Sequence, residues 1–326
     1  MSKPAQQDAP IAVLGAGSWG TALAVQFARG GRATRLWGRD VRHLAGNQFP
    51  APLKIEGDLD SALNGALDVL IVVPSHAFRE MLSTVAPRLS AQMRVAWATK
   101  GFELDSGKLP HQVALEVLGS SRAVAVLSGP TFAREVTAGL PTAMTIASPD
   151  AAFAAALAQS LSSNHFRAYT STDIVGVEVG GAVKNVLAVG AGLSDGLGFG
   201  ANTRIALITR GLVEMTRLGV ALGAQRETFM GLAGLGDLVL TCTDDQSRNR
   251  RFGLLLAAGR TPEAALAEIG QTVEGYVAAR AVRAVAQREQ VDMPLCEGIY
   301  SVLYERRPAK EVVRELMSRP IRPERE

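Results

Sequence analysis

The sequence contains few cysteines, no long apolar run and little net charge, and each of these absences excludes a class of protein. Cys242 and Cys296 are too few and too far apart in the sequence to build a disulfide framework or a metal cluster. The longest strongly apolar run, residues 67–74, is far below the roughly 18 residues that a membrane span needs. With 34 basic against 31 acidic residues, the net charge of +3 is not that of a nucleic-acid-binding protein.

The N-terminus and the histidines add two further exclusions. Residues 1–10 are polar and lack the hydrophobic core of a signal peptide. None of the four histidines stands at a ligand spacing from another histidine or from a cysteine. We therefore expect a soluble, cytoplasmic protein with no metal ion and no membrane insertion. Its 326 residues suggest two domains, at about 150 residues per domain.

Short apolar runs alternate with segments of helical period over the first 170 residues. The early runs are continuous rather than alternating, as in parallel strands that helices cover on both faces. The predicted strands are residues 11–14, 33–37, 69–73, 94–98, 123–127, 143–147 and 166–169. The predicted helices between them are residues 19–29, 78–89, 109–118 and 150–161.

Beyond about residue 175 the strand pattern disappears and long helical patterns follow. The chain is therefore predicted to be an α/β protein with a doubly wound sheet in residues 1–175, followed by an all-helical domain in residues 176–326. Glycines are concentrated in the first part of the helical region, which suggests a close approach of backbone to a ligand or to another helix. The predicted helices of this region are residues 175–193, 202–222, 248–258, 262–269, 273–287 and 295–304.

A glycine-rich segment stands between the first predicted strand and the first predicted helix. Gly15, Gly17 and Gly20 fit the pattern G-x-G-x-x-G. In this pattern the first glycine permits a tight turn, the second lets the backbone approach a pyrophosphate, and the third lets the helix pack closely on the strand. The amides at the start of the helix then face the anion. Because strand and helix supply the expected context, the segment predicts a Rossmann-type dinucleotide site.

Two residues of opposite charge follow the second predicted strand, where the ribose of a dinucleotide is expected. Asp40 has the spacing of the carboxylate that binds the ribose hydroxyls of NAD, whereas Arg39 suits the 2′-phosphate of NADP. Arg39 is alternatively a solvated surface charge. The two signals compete, and the sequence favours NADP(H) while leaving NAD(H) open.

Lys184 is the candidate for proton transfer. It lies in a predicted helix of small and apolar residues, and its neighbours one turn away are Gly180, Gly181 and Ala188. These small neighbours leave a groove for a substrate beside the lysine. Apolar surroundings also lower the pKa of a lysine, which suits it to proton transfer. The alternative is a lysine at a helix–helix contact whose amine reaches the solvent.

Two turns at strand ends offer groups for an anionic substrate. Lys100 follows the fourth predicted strand, at the edge where ligands of parallel sheets collect. Gly129 and Thr131 lie between the next strand and a helix start, where backbone amides can face an anion. Either segment is alternatively an ordinary turn.

A carboxylate and a basic cluster follow in the helical region. Asp237 ends a glycine-rich loop and is expected to orient Lys184 or a substrate hydroxyl, unless it only forms the turn. Ser247, Arg248 and Asn249 stand at a predicted helix start, with Ser247 as its N-cap. An arginine with neighbouring hydroxyl and amide donors suits a phosphate, although a solvated basic turn is the plainer interpretation.

Taken in order, these segments resemble the bacterial NAD(P)-dependent glycerol-3-phosphate dehydrogenases from about residue 11 to residue 305. So many ordered motifs do not agree by chance. They are Gly15-Ala-Gly-Ser-Trp-Gly, Val73-Pro-Ser-His, Ala98-Thr-Lys-Gly, Ser128-Gly-Pro-Thr-Phe-Ala, Gly180-Gly-Ala-Val-Lys-Asn-Val, Gly192-Leu-Ser-Asp-Gly, Gly234-Leu-Gly-Asp-Leu, Ser247-Arg-Asn-Arg-Arg-Phe-Gly and Val273-Glu-Gly-Tyr.

The resemblance implies a homodimer that interconverts sn-glycerol 3-phosphate and dihydroxyacetone phosphate with NAD(P)(H) and supplies phospholipid synthesis. Lys184 would accept the proton in oxidation and donate it in reduction. The implied substrate contacts are Lys100, Gly129, Thr131, Lys184, Asp237, Ser247, Arg248 and Asn249. The cofactor contacts, with the glycines Gly15, Gly17 and Gly20, are Ser18, Trp19, Arg39, Lys100, Ala133, Arg248, Thr272 and Glu274.

One segment and one residue differ from the sequence pattern of that family. Residues 44–57 form a shorter loop before the third predicted strand, so contacts from that loop do not carry over to this chain. Thr272 stands where an aliphatic residue is common, a change that a backbone contact tolerates. Two other functions stay open: a related β-hydroxyacid dehydrogenase, which needs no phosphate site at Arg248, and a redox-sensing NADP-binding protein, which needs no Lys184.

Overall fold

An eight-stranded sheet is the frame of the N-terminal half. The computed structural model describes residues 9–320, so residues 1–8, on which the expectation of no signal peptide partly rests, lie outside the described residues. The strand order is β3-β2-β1-β4-β5-β6-β7-β8, and neighbours are parallel except β6 and β7. The strands are β1 Ile11–Leu14, β2 Thr34–Trp37, β3 Leu53–Glu56, β4 Asp68–Ile71, β5 Arg94–Trp97, β6 Val124–Ser128, β7 Thr142–Ala147 and β8 Phe166–Ser171.

Helices cover both faces of this sheet. One face packs against side chains of α1 and α6, such as Phe27 and Leu157, and the other against α3 and α4, with Leu82 and Val113. Strands β1 and β4 are buried along their whole length, which explains their continuous apolar sequences. The helices of this half are α1 Ser18–Arg29, α2 Leu59–Leu63, α3 Phe78–Val85, α4 Pro110–Leu118, α5 Ala133–Ala138 and α6 Ala151–Leu161.

The C-terminal half is helical and is built around α7, most of whose residues are buried. Helices α8, α9, α10 and α12 pack around it. The Rossmann-type sheet followed by a helical region confirms the predicted fold class. The helices are α7 Ile174–Gly196, α8 Gly200–Ala221, α9 Asp237–Thr243, α10 Arg248–Ala257, α11 Pro262–Ile269, α12 Glu274–Arg288, α13 Pro294–Tyr304 and α14 Ala309–Met317.

The predicted strands and helices are all present, with bounds that differ by a few residues, but the pattern missed several short elements. Strand β3 lies inside the shortened loop, so the third predicted strand is β4. Strand β3 is an edge strand in which only Leu53 is buried, and its sequence therefore has few apolar residues to mark it as a strand. Helices α2 and α9 are too short for a helical period to stand out, and only the start of α5, after Thr131, was predicted. Helix α14 was also missed, and it buries only Val312.

Helix α7 is, within residues 9–320, the one helix long and apolar enough to cross a membrane by length and composition. Its most apolar window is 94% buried inside the protein, as in the core helix of a globular domain. It was not recognised as a long apolar run because Glu178, Lys184 and many glycines interrupt its larger apolar side chains.

Close helix packing explains glycines in the helical half. A Cβ atom on Gly192 of α7 would lie 2.0 Å from the carbonyl oxygen of Arg250. One on Gly253 of α10 would lie 2.1 Å from the carbonyl oxygen of Val189. Because both obstacles are backbone atoms, no side-chain rotation relieves either clash. These glycines cost helix propensity, about 1 kcal/mol each, and allow α7 and α10 to approach closely.

We expect Gly192→Ala to destabilise the protein by about 3 kcal/mol, because α10 would have to move away from α7. Thermal unfolding followed by circular dichroism measures the change. Gly57→Ala is the control, since a Cβ atom there meets no atom within 4 Å. Equal melting temperatures for the two variants would contradict this account of the helix contact.

Candidate active site

A cleft of about 480 Å³ lies at the carboxyl edge of the sheet, between the sheet and helices α7, α9 and α10. Ligands of open parallel sheets bind at this edge, near the point where the strand order reverses, here between β1 and β4. Of the residues that the sequence singled out, those lining the cleft are Gly17, Ser18, Trp19, Gly20, Lys100, Thr131, Ala133, Lys184, Asp237, Ser247, Arg248, Asn249, Thr272 and Glu274.

The glycine-rich turn forms one wall of the cleft. Gly15 has a φ of +122°, and a Cβ atom there would lie 2.1 Å from the carbonyl oxygen of Val72. A Cβ atom on Gly20 would lie 1.8 Å from the carbonyl oxygen of Gly15. At Gly17, by contrast, a Cβ atom would meet nothing within 4 Å. Gly15 therefore forms the turn and Gly20 the close helix contact, while Gly17 leaves open space for a ligand.

The start of α1 is suited to an anion. Gly17 is its N-cap residue, and no side chain caps the first turn. The first amides of a helix have no partner within the helix, and the helix dipole favours negative charge there. Since these amides border the cleft, the residues present fit the pyrophosphate of a dinucleotide.

Asp40, one of the two residues predicted to bind the ribose, is already hydrogen-bonded to a neighbouring residue. Its carboxylate accepts hydrogen bonds from the backbone amide of Arg42 at 3.0 Å and from that guanidinium at 3.0 and 2.6 Å. These bonds lower the pKa of Asp40 to about 2. Arg39 is exposed and has no ion partner among the described residues. Neither Arg39 nor Asp40 lines the cleft, and both stand beyond it at the end of β2.

Two lysines and one carboxylate meet in the middle of the cleft. Lys184, on α7, donates from Nζ to Oδ1 of Asp237 at 2.6 Å and to the hydroxyl of Thr241 at 3.0 Å. Lys100, just after β5, donates to the other carboxylate oxygen of Asp237 at 2.7 Å. An ammonium group has three N–H donors, so Lys184 keeps one for a ligand in the cleft. Sequence analysis missed Thr241, although it stands one helical turn after Asp237 on α9.

Burial and charge shift the pKa values of this cluster. Lys184 is 7% exposed, and burial lowers its pKa to about 8, although the charge of Asp237 opposes the change. Asp237 is 1% exposed; burial would raise its pKa, but the charges of Lys100 and Lys184 outweigh burial and lower it. The cluster therefore combines a stable carboxylate with an amine that changes protonation near neutral pH.

An amide network extends the cluster toward α10 and α12. Asn249 donates to the side-chain oxygen of Asn185 at 2.8 Å, and Asn185 donates to the carboxylate of Glu274 at 3.1 Å. Asn249 also accepts from the backbone amide of Gly275 at 2.8 Å. Sequence analysis missed Asn185; its position directly after Lys184 was the available signal. The network joins three helices around one end of the cleft.

The basic cluster begins helix α10. The hydroxyl of Ser247 accepts from the backbone amide of Arg250 at 3.2 Å, as expected for the N-cap residue. Arg248 is exposed at the cleft, where its guanidinium reaches the side chain of Gln271 at 3.5 Å. Ser247 caps one amide of this helix start, and a guanidinium beside the other first amides is suited to an anion.

The turn after β6 holds the last predicted substrate residues. Gly129 has a φ of +151°, and a Cβ atom there would lie 2.9 Å from the Cα atom of Met144. It does not line the cleft itself but shapes the turn that presents Thr131, whose hydroxyl donates to the carbonyl oxygen of Gly129 at 3.2 Å. Among the described residues, no group of three or more histidine, cysteine or acidic side chains could hold a metal ion.

The doubly wound sheet, the glycine turn with open space at a free helix start, and the lysine–carboxylate cluster define a nicotinamide-dinucleotide-dependent dehydrogenase. Family models described as the N-terminus and the C-terminus of NAD-dependent glycerol-3-phosphate dehydrogenase match residues 10–154 and 173–314. The chain belongs to this family.

Individual relatives and a solved structure support the same family. The sequence is 56% identical to glycerol-3-phosphate dehydrogenase [NAD(P)+] of Aeromonas salmonicida, over 96% of this chain and 98% of the relative. It is 52% identical to the enzyme of that name from Vibrio cholerae, over 97% and 96% of the two chains. The crystal structure of glycerol-3-phosphate dehydrogenase from Coxiella burnetii superposes with a TM-score of 0.91 at 46% identity, covering 96% of this chain and 99% of that one. The predictions of the family and of an oxidoreductase that uses NAD(H) or NADP(H) are therefore confirmed.

Proposed function

We propose that this enzyme interconverts sn-glycerol 3-phosphate and dihydroxyacetone phosphate, with Lys184 as its general acid and base. The observation that carries the proposal is the buried amine of Lys184, held by Asp237 and Thr241 with one donor left for the cleft. A buried group with a pKa near neutral pH is suited to exchanging a proton with a substrate oxygen. When bound, the nicotinamide supplies or accepts the hydride at C2 of the substrate.

In the reductive direction Lys184 must be protonated. Its free N–H donates to the carbonyl oxygen, which polarises the bond and stabilises the alkoxide charge that develops there. The proton then moves from Nζ to that oxygen, which leaves a neutral amine and an alcohol. In oxidation the neutral amine accepts the hydroxyl proton. Asp237 keeps the amine oriented in both directions.

The phosphate of the substrate is assigned to the start of α10. Ser247, Arg248 and Asn249 line the cleft there, and they supply the first backbone amides of the helix and a cationic side chain. Lys100 adds a second positive charge from the sheet side. The turn of Gly129 and Thr131 completes the proposed substrate contacts. A phosphate thus meets cations from both halves of the chain.

The pyrophosphate of the coenzyme is assigned to the wall formed by the glycine-rich turn. The turn of Gly15, Gly17 and Gly20 and the first residues of α1, Ser18 and Trp19, would hold its pyrophosphate. Further cofactor contacts in the proposal are Arg39, Lys100, Ala133, Arg248, Thr272 and Glu274. Since Asp40 is engaged by Arg42, Arg39 is the group available for a 2′-phosphate, which favours NADPH over NADH.

We expect Arg39→Ala to lower the ratio of kcat/KM for NADPH to that for NADH at least tenfold. A charge-assisted hydrogen bond to a phosphate contributes about 1.5–3 kcal/mol, and NADH has no such phosphate. Initial rates with each coenzyme measure the ratio. Asp40→Asn is the control, because its carboxylate is occupied by Arg42. A larger loss with NADH in Asp40→Asn than with NADPH in Arg39→Ala would assign the ribose to Asp40.

Organisation and location belong to the same proposal. We place the coenzyme domain in residues 1–175 and the helical substrate domain in residues 176–326, which is supported by the end of β8 at Ser171 and the start of α7 at Ile174. A homodimer, a place in the cytoplasm and a role in supplying glycerol 3-phosphate for phospholipid synthesis rest on the resemblance to the family.

The decisive test follows NADPH absorbance with dihydroxyacetone phosphate as substrate and repeats it with NADH. Turnover with either coenzyme supports the reaction, and the faster one gives the preference. A panel of 3-keto acids, the products of β-hydroxyacid oxidation, serves as the control. Turnover with a keto acid but not with dihydroxyacetone phosphate would contradict the proposal in favour of a β-hydroxyacid dehydrogenase. Binding of NADPH without any turnover would favour a sensor.

A further inference from the structure

A buried carboxylate joins the two halves of the chain outside the cleft. Glu178 of α7 is 4% exposed and accepts three hydrogen bonds, all from the sheet half. The indole N–H of Trp97 donates at 2.9 Å, the backbone amide of His111 at 2.9 Å, and Nδ1 of His111 lies 2.5 Å from the second carboxylate oxygen. None of the three side chains lines the cleft.

The environment of this carboxylate favours a fixed geometry. His111 is at the start of α4, where backbone amides have no helical partner and the helix dipole favours an anion. Burial raises the pKa of Glu178, whereas its pairing with His111 outweighs the burial of the imidazole and raises the pKa of His111. A charge-assisted bond between buried partners is short and directional. If α7 separated from α4 and β5, this buried carboxylate would lose hydrogen-bond donors, which carries a large free-energy cost.

The residues of this network are close in sequence to the two lysines of the cleft. Trp97 is three residues before Lys100, and Glu178 is six residues before Lys184, about 9 Å along the same helix. Between Glu178 and Lys184, helix α7 approaches the sheet half of the chain at Gly181, where a Cβ atom would lie 3.4 Å from the side chain of Lys100. The position of α7 on the sheet therefore sets the positions of both amines relative to Asp237.

We propose that Glu178, His111 and Trp97 form a positioning network that holds α7 on the sheet, so that Lys184 and Lys100 reach Asp237 together. The inference rests on the proposed function, in which Lys184 transfers the proton. The three residues act through the lysines and contact neither the substrate nor the reacting atoms. A displacement of about 1 Å at a reacting group can cost a hundredfold in rate, so the network controls turnover more than coenzyme binding.

The test compares His111→Ala with His111→Asn in the reductive reaction. We expect His111→Ala to lower kcat about 10- to 100-fold and to change the KM for NADPH less than about twofold. The high-pH limb of its rate profile should shift, because the pKa of Lys184 depends on its burial and on the charges of Asp237, Lys100 and Glu274 that face it. His111→Asn should stay within about threefold of the wild type, since an asparagine N–H donor can take the place of Nδ1.

Two further variants separate positioning from stability. Trp97→Phe removes one donor and should lower kcat about threefold to tenfold with a shift of the pH limb in the same direction as in His111→Ala, which keeps the test open if His111→Ala does not fold. Glu214→Gln is the matched control, because Glu214 is also a buried carboxylate at a helix start, accepting from the amides of Leu295 at 2.6 Å and Cys296 at 3.1 Å. It should lower the melting temperature and leave kcat and the pH limb unchanged.

The outcomes are distinct. Wild-type kcat and pH limb in folded His111→Ala or Trp97→Phe, with only a lower melting temperature, would overturn the positioning role. An equal loss of kcat in His111→Ala and His111→Asn would overturn it as well. A wild-type enzyme that does not reduce dihydroxyacetone phosphate would contradict the proposed function, which is a different failure.

Discussion

Replacement of Lys184 by Met is expected to lower turnover of dihydroxyacetone phosphate about 10³- to 10⁴-fold. The variant keeps the length of the side chain but removes the proton donor and the charge that stabilises the developing alkoxide. NADPH should still bind, because the glycine turn and the start of α1 are separate from Lys184. Steady-state rates and a fluorescence titration with NADPH measure the two properties.

A smaller variant and a distant one provide the controls. Lys184→Ala should lose as much activity, and added methylamine should restore part of it by placing an amine beside Asp237 and Thr241. Lys310→Ala, which removes an exposed lysine on α14, should behave as the wild type. Near-normal turnover in Lys184→Met would remove this residue from the mechanism, whatever its effect on stability.

Asp237→Asn is expected to lower reductive kcat/KM at neutral pH about a hundredfold or more. The wild-type reaction needs protonated Lys184, so its rate should fall as the pH rises through about 8, while oxidation, which needs the neutral amine, should rise over the same range. Without the carboxylate, the pKa of Lys184 falls further, because Lys100 still repels its proton and Asp237 no longer attracts it. The limb of both pH profiles should therefore move to lower pH.

Asp195→Asn is the matched control for this experiment. Asp195 is also a mostly buried carboxylate between two cations, Arg204 at 2.8 Å and Arg250 at 2.7 Å, but it does not line the cleft. We expect it to reduce stability and to leave the pH limb in place. An unchanged limb in Asp237→Asn, with only a lower rate, would show that Asp237 holds geometry without setting the protonation of Lys184.

Most of the fold could be predicted because its elements carry strong local signals. Strands β1 and β4 are buried on both faces and are apolar throughout, so their positions are evident from the sequence. Edge strand β3 and helix α14 were missed because each buries a single side chain, Leu53 and Val312 respectively. A pattern of apolar residues reports burial, and it weakens where an element has little core to contact.

The coenzyme question shows what neighbouring residues alone leave open. Arg39 and Asp40 are adjacent in the sequence and gave opposite indications of coenzyme. The structure separates them, because the carboxylate of Asp40 folds back onto the amide and guanidinium of Arg42. Such a hydrogen bond is local, yet it is not visible in the residue pattern.

The sequence by itself determined the alternation of strands and helices, the glycine turn and the small-residue helix around Lys184, because these depend on local geometry and on apolar periodicity. Only the tertiary structure decided that Lys100 and Lys184 share Asp237, which lies 137 residues from Lys100. It also decided that Glu178 contacts His111, 67 residues away, in the network that joins α7 to α4 and β5. Contacts over such separations arise from how helices pack on the sheet, and no short stretch of sequence records that packing.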